Sequence, residues 1–155
     1  MRFLFSLGAA ICVSVCMAGD RDEMRQILAD NFAACNEENI EALMDTCSAD
    51  MPDRPGFRRE SEILFQEKDL HYSLVDFEVT MVDQDYAEAW VVQATYTDDR
   101  NSDSEQRSKF RSGTTLLPQE EVVEYKVAFK YEAGKWKCYM TISEPRPYRM
   151  EKARR

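Results

Sequence analysis

The sequence predicts one α+β domain, with amphipathic helices first and a run of antiparallel strands after them. Two observations carry this. From Asp20 to about Lys68 the apolar residues recur at spacings of three and four, whereas from about Tyr72 to Ser143 they recur at every second position. The strand-like stretches also follow one another instead of alternating with helices, which selects an antiparallel sheet. At 155 residues and 44% hydrophobic composition the chain is long enough for one core and too apolar for general disorder.

The first helix is expected from Asp20 to about Cys35, with Met24, Ile27, Leu28, Phe32 and Cys35 forming one apolar stripe. Asp20, Asp22 and Glu23 crowd its first turn, where they suit the positive end of the helix dipole. A second, short helix carries Ile40, Leu43, Met44 and Cys47 on one face, with Asn39 placed to cap it. Ser48 to Gly56 holds Pro52, Pro55 and Gly56 and reads as a loop. Arg58 to Lys68 makes a third helix through Ile63 and Leu64, with Leu70 the next residue of that stripe.

The period then changes to two. Phe77, Val79 and Met81 mark a first strand, Val82-Asp83-Gln84-Asp85 a turn, and Tyr86 to Thr97 a second strand. One face of that second strand carries Tyr86, Glu88, Trp90, Val92, Ala94 and Tyr96. Thr97 to Ser112, rich in Asp, Arg, Ser and Lys, is expected as a loop. A third strand, about Val122 to Tyr131, points Val123, Tyr125, Val127, Phe129 and Tyr131 one way. Ala133-Gly134 turns the chain into a last strand, Lys135 to Ser143, with Trp136, Cys138, Met140 and Ile142 on one face. A strongly twisted sheet of this kind curls around the first helix into a cone that encloses one pocket.

Residues 1–18 have the layout of a secretory signal: Arg2 alone is charged, an apolar run follows, and small residues end it at Ala18 before Gly19-Asp20-Arg21-Asp22-Glu23. About 16 apolar or small residues fall short of a membrane span. Neither Cys12 nor Cys16 follows a small residue, which argues against lipid attachment. The expectation is a secreted or periplasmic protein cleaved after Ala18, with a domain over 19–145, a basic tail over 146–155 and no stable membrane insertion. Losing Arg2 moves the formal charge from −9 to −10, which disfavours sequence-independent nucleic-acid binding.

Cys35, Cys47 and Cys138 survive cleavage. Small buried hydrophobes are the simplest reading, and export permits one disulfide in any of three pairings. With no Cys-x-x-Cys and only His71, no metal site is expected. None of the five glycines forms a phosphate-binding pattern and no G-x-S-x-G elbow occurs, so no cofactor is expected and serine-hydrolase chemistry is disfavoured.

Ile27-Leu28 through Phe32, then Glu38-Asn39-Ile40-Glu41-Ala42-Leu43-Met44 and Ser48-Ala49-Asp50, resemble the opening of the nuclear-transport-factor-2-like (NTF2-like) superfamily, which includes SnoaL-like and ketosteroid-isomerase-like proteins. Tyr131-Glu132-Ala133-Gly134-Lys135-Trp136-Lys137 is similar to that family's last hairpin. The resemblance implies a cone-shaped domain on a strongly curved, mostly antiparallel sheet. It also locates the family's isomerase groups: the helix Tyr falls on Asn31, the strand Asp on Val127, and the loop base near Pro55, with Asp53 the nearest carboxylate. Val127 cannot donate a hydrogen bond, which disfavours that chemistry.

The catalytic candidates are therefore Asn31, Asp53 and His71, an imidazole being the side chain that titrates near neutrality. The ligand-binding candidates are Asn31, Trp90, Tyr96 and Tyr125, polar or amphipathic residues on elements expected to line the cone. Glu124 alternates with Tyr125, so only one of the two faces inward. The plainer reading makes Trp90 and Tyr125 core or dimer-face aromatics, Asp53 a solvated loop residue and His71 a turn residue. The expected function is binding of a small apolar or amphipathic ligand, self-association through the sheet face, or both. A cofactor-independent lyase or isomerase and a protein-interaction module are the alternatives.

Overall fold

The computed structural model describes residues 8–99 and 121–148, with side chains described over 19–97 and 121–148. Three helices, α1 (Gly8–Asn36), α2 (Ile40–Thr46) and α3 (Arg54–Glu67), precede strands β1 (Lys68–Asp83), β2 (Tyr86–Asp99), β3 (Glu121–Glu132), β4 (Lys135–Thr141) and β5 (Arg146–Pro147). The sheet is antiparallel in the order β1-β2-β3-β4, and β5 continues the β4 edge by pairing with β3. It is an open sheet packed by the helices on one face, not the strongly curled cone expected.

The α1 backbone runs through the expected cleavage point at Ala18, and Met1 to Leu7 lie outside the described residues. Most of the expected 97–112 loop and the tail from Arg149 also lie outside them. The tail's first residues do not fray, because Arg146 and Pro147 pair with Glu124 and Val123.

Met24, Leu28 and Phe32 of α1 pack on Phe77, Val91, Val127, Phe129 and Trp136 in the main core, as the helical period requires. Trp136 is tied to the start of the helix: its indole N–H donates to Asp20 at 3.2 Å and its backbone N–H to Glu23 at 3.0 Å. A smaller cluster joins Ala34, Leu43, Phe65 and Leu70. Asn36 binds both backbone groups of Tyr72, donating to its carbonyl at 2.9 Å and accepting from its N–H at 2.7 Å. That clamp anchors the end of α1 to β1 as a ladder pair would.

Further expectations are corrected. The third helix starts at Arg54, not Arg58: Asp53 adopts a left-handed φ of 47°, its side chain accepts from the Gly56 N–H, and Pro55 sits in the first turn, where its missing N–H costs nothing. Its buried face is Gly56, Ser61 and Phe65, while Ile63 is exposed. The first strand begins four residues before Tyr72, at Lys68, so Leu70 belongs to the strand and not to the third helix. On β2 the core face is Ala87, Ala89 and Val91, not the face bearing Tyr86, Trp90 and Tyr96. Bulky Phe77, Phe129 and Met24 already fill that side, so small residues fit opposite them. Register shifts between Val79 and Met81, and between Ala128 and Phe129, end the simple alternation and leave Met81 and Met140 exposed.

Candidate functional site

A cavity of about 340 Å³ opens between α1, the segment linking α2 to α3, and the β3–β4 hairpin. Leu28 and Phe32, one helical step apart on α1, meet Tyr125 and Val127 of β3 at its apolar base. Cys47, Met51 and Pro52 form one wall, which continues into Cys138 of the hairpin. Exposed Pro52, Met140 and Thr141 mark the mouth. No residue lining the cavity carries a formal charge.

The wall built by residues 47–52 is fixed to the hairpin. Cys47 and Cys138 form a parallel β-bridge, and the Ser48 N–H donates to the Cys138 carbonyl at 2.7 Å. Glu132 accepts from Ser48 Oγ and from the Ala49 N–H. Lys130 pairs with Asp50 at 2.9 Å, and Lys137 donates to the Asp45 carbonyl.

Asn31 supplies the cavity's fixed polar group. Its Nδ2 donates to Thr46 Oγ1 at 2.7 Å, and Thr46 Oγ1 donates to the Leu43 carbonyl at 2.7 Å. That chain locks the amide, and Oδ1 accepts no hydrogen bond among the described residues. Tyr125 contributes its ring, because its hydroxyl donates to Gln93 Oε1, and burial pushes its pKa up. Burial likewise holds the thiols protonated, Cys35 being pushed up to about 12, with Cys47 and Cys138 also raised.

The sequence candidates separate. Asn31 and Tyr125 meet in the cavity; Asp53, His71, Trp90 and Tyr96 do not line it. Asp53 is the exposed cap of α3. His71 is exposed on β1, paired with Tyr96 across the ladder, with the two rings 6.1 Å apart. Trp90 lies on the sheet face away from the helices, with Arg146 at 4.8 Å and Lys126 at 5.8 Å from its ring. Those cations also pair with Glu124 and Glu88, each at 2.8 Å. The positions aligned with the isomerase donors do meet, as Asn31 and Val127, and only Asn31 can hydrogen-bond. Sequence reasoning did not assign Cys47, Met51 or Cys138 to the site, since helical and strand periods do not show which loop lies against which edge. Among the described residues no group of three or more His, Cys, Asp or Glu is placed to hold a metal.

Solved structures share this arrangement. A provisionally assigned dehydratase of the NTF2-like family from Streptomyces avermitilis is 14% identical, with a TM-score of 0.64 over 84% of this chain and 98% of that one. A conserved protein from Planctomyces limnophilus is 14% identical, with a TM-score of 0.61 over 84% of this chain and 99% of that one. An NTF2-like protein with a cystatin-like fold from Novosphingobium aromaticivorans is 14% identical, with a TM-score of 0.59 over 90% and 89%. At these identities the likeness shows the fold, which is NTF2-like, and not an activity. No curated protein matches the chain. A family model does match it, over residues 26–144, which span α1 through β4. The chain therefore belongs to the family described as the C-terminal domain of the anti-sigma-I factor RsgI9.

Proposed function

We propose that this domain works outside the cytoplasm as a binding module for a small, uncharged, apolar or amphipathic ligand. The observation that carries the reading is the cavity itself: apolar walls, no charged lining residue, and Asn31 held in place by its bond to Thr46. Such a site rewards apolar burial and suits a ligand with few polar groups. The signal-like residues 1–18 support export. The matching family is named for part of an anti-sigma-I factor, and a pocket of this kind suits a sensing module. The lyase or isomerase alternative loses support, because Asp53 and His71 lie away from the cavity. Titration with a neutral naphthylamine dye tests the reading. Saturable binding that Thr141→Trp at the mouth abolishes, with the fold intact by circular dichroism, supports it. Binding unchanged by that variant, or none at all, refutes it.

A second reading, self-association through the outer sheet face, is favoured by Trp90 sitting between Lys126 and Arg146 on a face the helices leave uncovered. Sedimentation velocity separates the two. A dimer converted to monomer by Trp90→Glu supports self-association, and a monomeric wild type ends it.

A further inference from the structure

We propose that Cys47 and Cys138 form a disulfide in the oxidised protein, leaving Cys35 as the odd thiol. The sequence permits three pairings among these residues, and the backbone distinguishes between them. Cys47 and Cys138 oppose each other directly in a parallel β-bridge. Opposed residues on neighbouring strands sit about 5 Å apart, inside the span of roughly 4.4–6.8 Å that a disulfide needs between its Cα atoms. Directly paired residues on neighbouring strands project to the same side, and both residues line the same cavity.

Cys35 has neither relationship. It packs on α1 against the second apolar cluster and does not line the cavity. Both thiols are free, and the polar contacts of Cys47 Sγ are weak: it donates to the Leu43 carbonyl at 3.3 Å, accepts from Asn31 Nδ2 at 4.0 Å and lies 3.9 Å from Thr46 Oγ1. Little is lost when it turns toward Cys138.

The oxidant is a small-molecule disulfide that enters through the cavity. The Cys47 thiolate attacks one of its sulfurs, releasing one thiol and forming a mixed disulfide. The Cys138 thiolate then attacks Cys47 Sγ and releases the second thiol. Two protein thiols are oxidised and one external disulfide is reduced to two thiols. Burial keeps both thiols protonated at neutral pH, so the reaction is slow. Arg54 favours the Cys47 thiolate while Lys137 favours both, which makes Cys47 the first attacker. The product ties the 47–52 wall to β4 and closes a loop of roughly 90 residues, the kind of cross-link that most restricts an unfolded chain. The bridge forms with or without a ligand in the cavity.

The test equilibrates the full chain with oxidised glutathione, alkylates the remaining thiols in denaturant and digests with a glutamyl endopeptidase. Sites at Glu37, Glu38 and Glu41 separate Cys35 from Cys47. We expect a Cys47–Cys138 linked peptide and an alkylated Cys35 in the wild type and in Cys35→Ser. We also expect the melting temperature of both to fall by several degrees on reduction. A bridge from Cys47 or Cys138 to any other cysteine, stable glutathione adducts on both, or complete alkylation of both overturns the proposal. Cys47→Ser adds a check where it folds: its melting temperature should not respond to reductant. The mapping in wild type and Cys35→Ser is decisive without it.

Discussion

The carboxylate of Glu132 grips the chain at Ser48 from across the hairpin, accepting from Ser48 Oγ at 2.9 Å and from the adjoining Ala49 N–H at 2.9 Å. Ser48 is fully buried, so this contact satisfies a hydroxyl that water cannot reach. It also fixes the segment that carries Cys47, Met51 and Pro52 into the cavity wall. Glu132→Ala should therefore cost about 1–3 kcal/mol, since it strands a buried donor and removes a charge-assisted bond. Glu132→Gln, which keeps one acceptor, should cost less. Urea midpoints give the stabilities, and amide exchange over residues 48–52 should quicken more in the alanine variant. Equal stability of all three proteins would show that the contact does not hold the wall.

The start of α3 makes a prediction whose sign reverses with background. Asp53 caps the helix by accepting from the Gly56 N–H, and a Cβ on Gly56 would lie 2.1 Å from Asp53 Oδ2. Asp53→Ala should cost about 1 kcal/mol as a lost N-cap. Gly56→Ala alone should destabilise too, because it expels the capping carboxylate. With Asp53 already alanine that clash is gone, and the same glycine replacement recovers up to about 1 kcal/mol of helix propensity. The double variant should then be more stable than Asp53→Ala, and thermal melts of the four proteins read this directly. If Gly56→Ala destabilises both backgrounds equally, the cap is not what it disturbs.

The β3–β4 turn holds Ala133 at φ 51° and Gly134 at φ 81°, both in the left-handed region that two-residue hairpins require. No atom lies within 4 Å of a Cβ built on Gly134, so conformational strain alone opposes a side chain there. Gly134→Ala should cost about 1–2 kcal/mol, whereas Ala133→Gly should be neutral or stabilising by up to about 1 kcal/mol. Opposite signs from two exchanges at adjacent positions, read by denaturant titration, would identify backbone strain as the cause. Equal losses would point to lost packing instead.

The residues that made the fold legible are those whose local chemistry and burial agree. Leu28 and Phe32 keep a helical stripe that is buried, Asn39 caps α2 through the Ala42 N–H, and Val127 and Phe129 alternate into the core. The errors came where tertiary contacts decide. On β2, Trp90 and Tyr96 were expected to line the cone, yet the packed side is Ala87, Ala89 and Val91, with the large groups supplied by Phe77 and Phe129 on the neighbouring strands. Pro55 and Gly56 read as loop residues, though a proline in the first turn and a capping Asp53 begin a helix. Of the site, Asn31 and Tyr125 were legible from their elements. Cys47 and Cys138 were not, since their meeting depends on a bridge between residues far apart in sequence.

Alkaline pH should reveal the thiols. Burial raises the pKa of Cys35 to about 12, raises Cys47 and Cys138 in the same direction, and raises Tyr72 and Tyr125 as well. The unfolded chain releases thiol protons near the ordinary value of about 8.5, while the folded chain keeps them, so above that pH the native state binds more protons. Stability from these groups is full below about pH 8.5 and declines as pH rises toward the folded values. Each buried thiol steepens the decline by up to about 1.4 kcal/mol per pH unit. In reductant, urea midpoints between pH 8 and pH 10 should fall steeply, and Cys35→Ala should flatten the slope. After equilibration with oxidised glutathione the slope should flatten further, because a bridged Cys47 and Cys138 no longer titrate. A slope that ignores both Cys35→Ala and the redox state would mean that other groups govern alkaline unfolding.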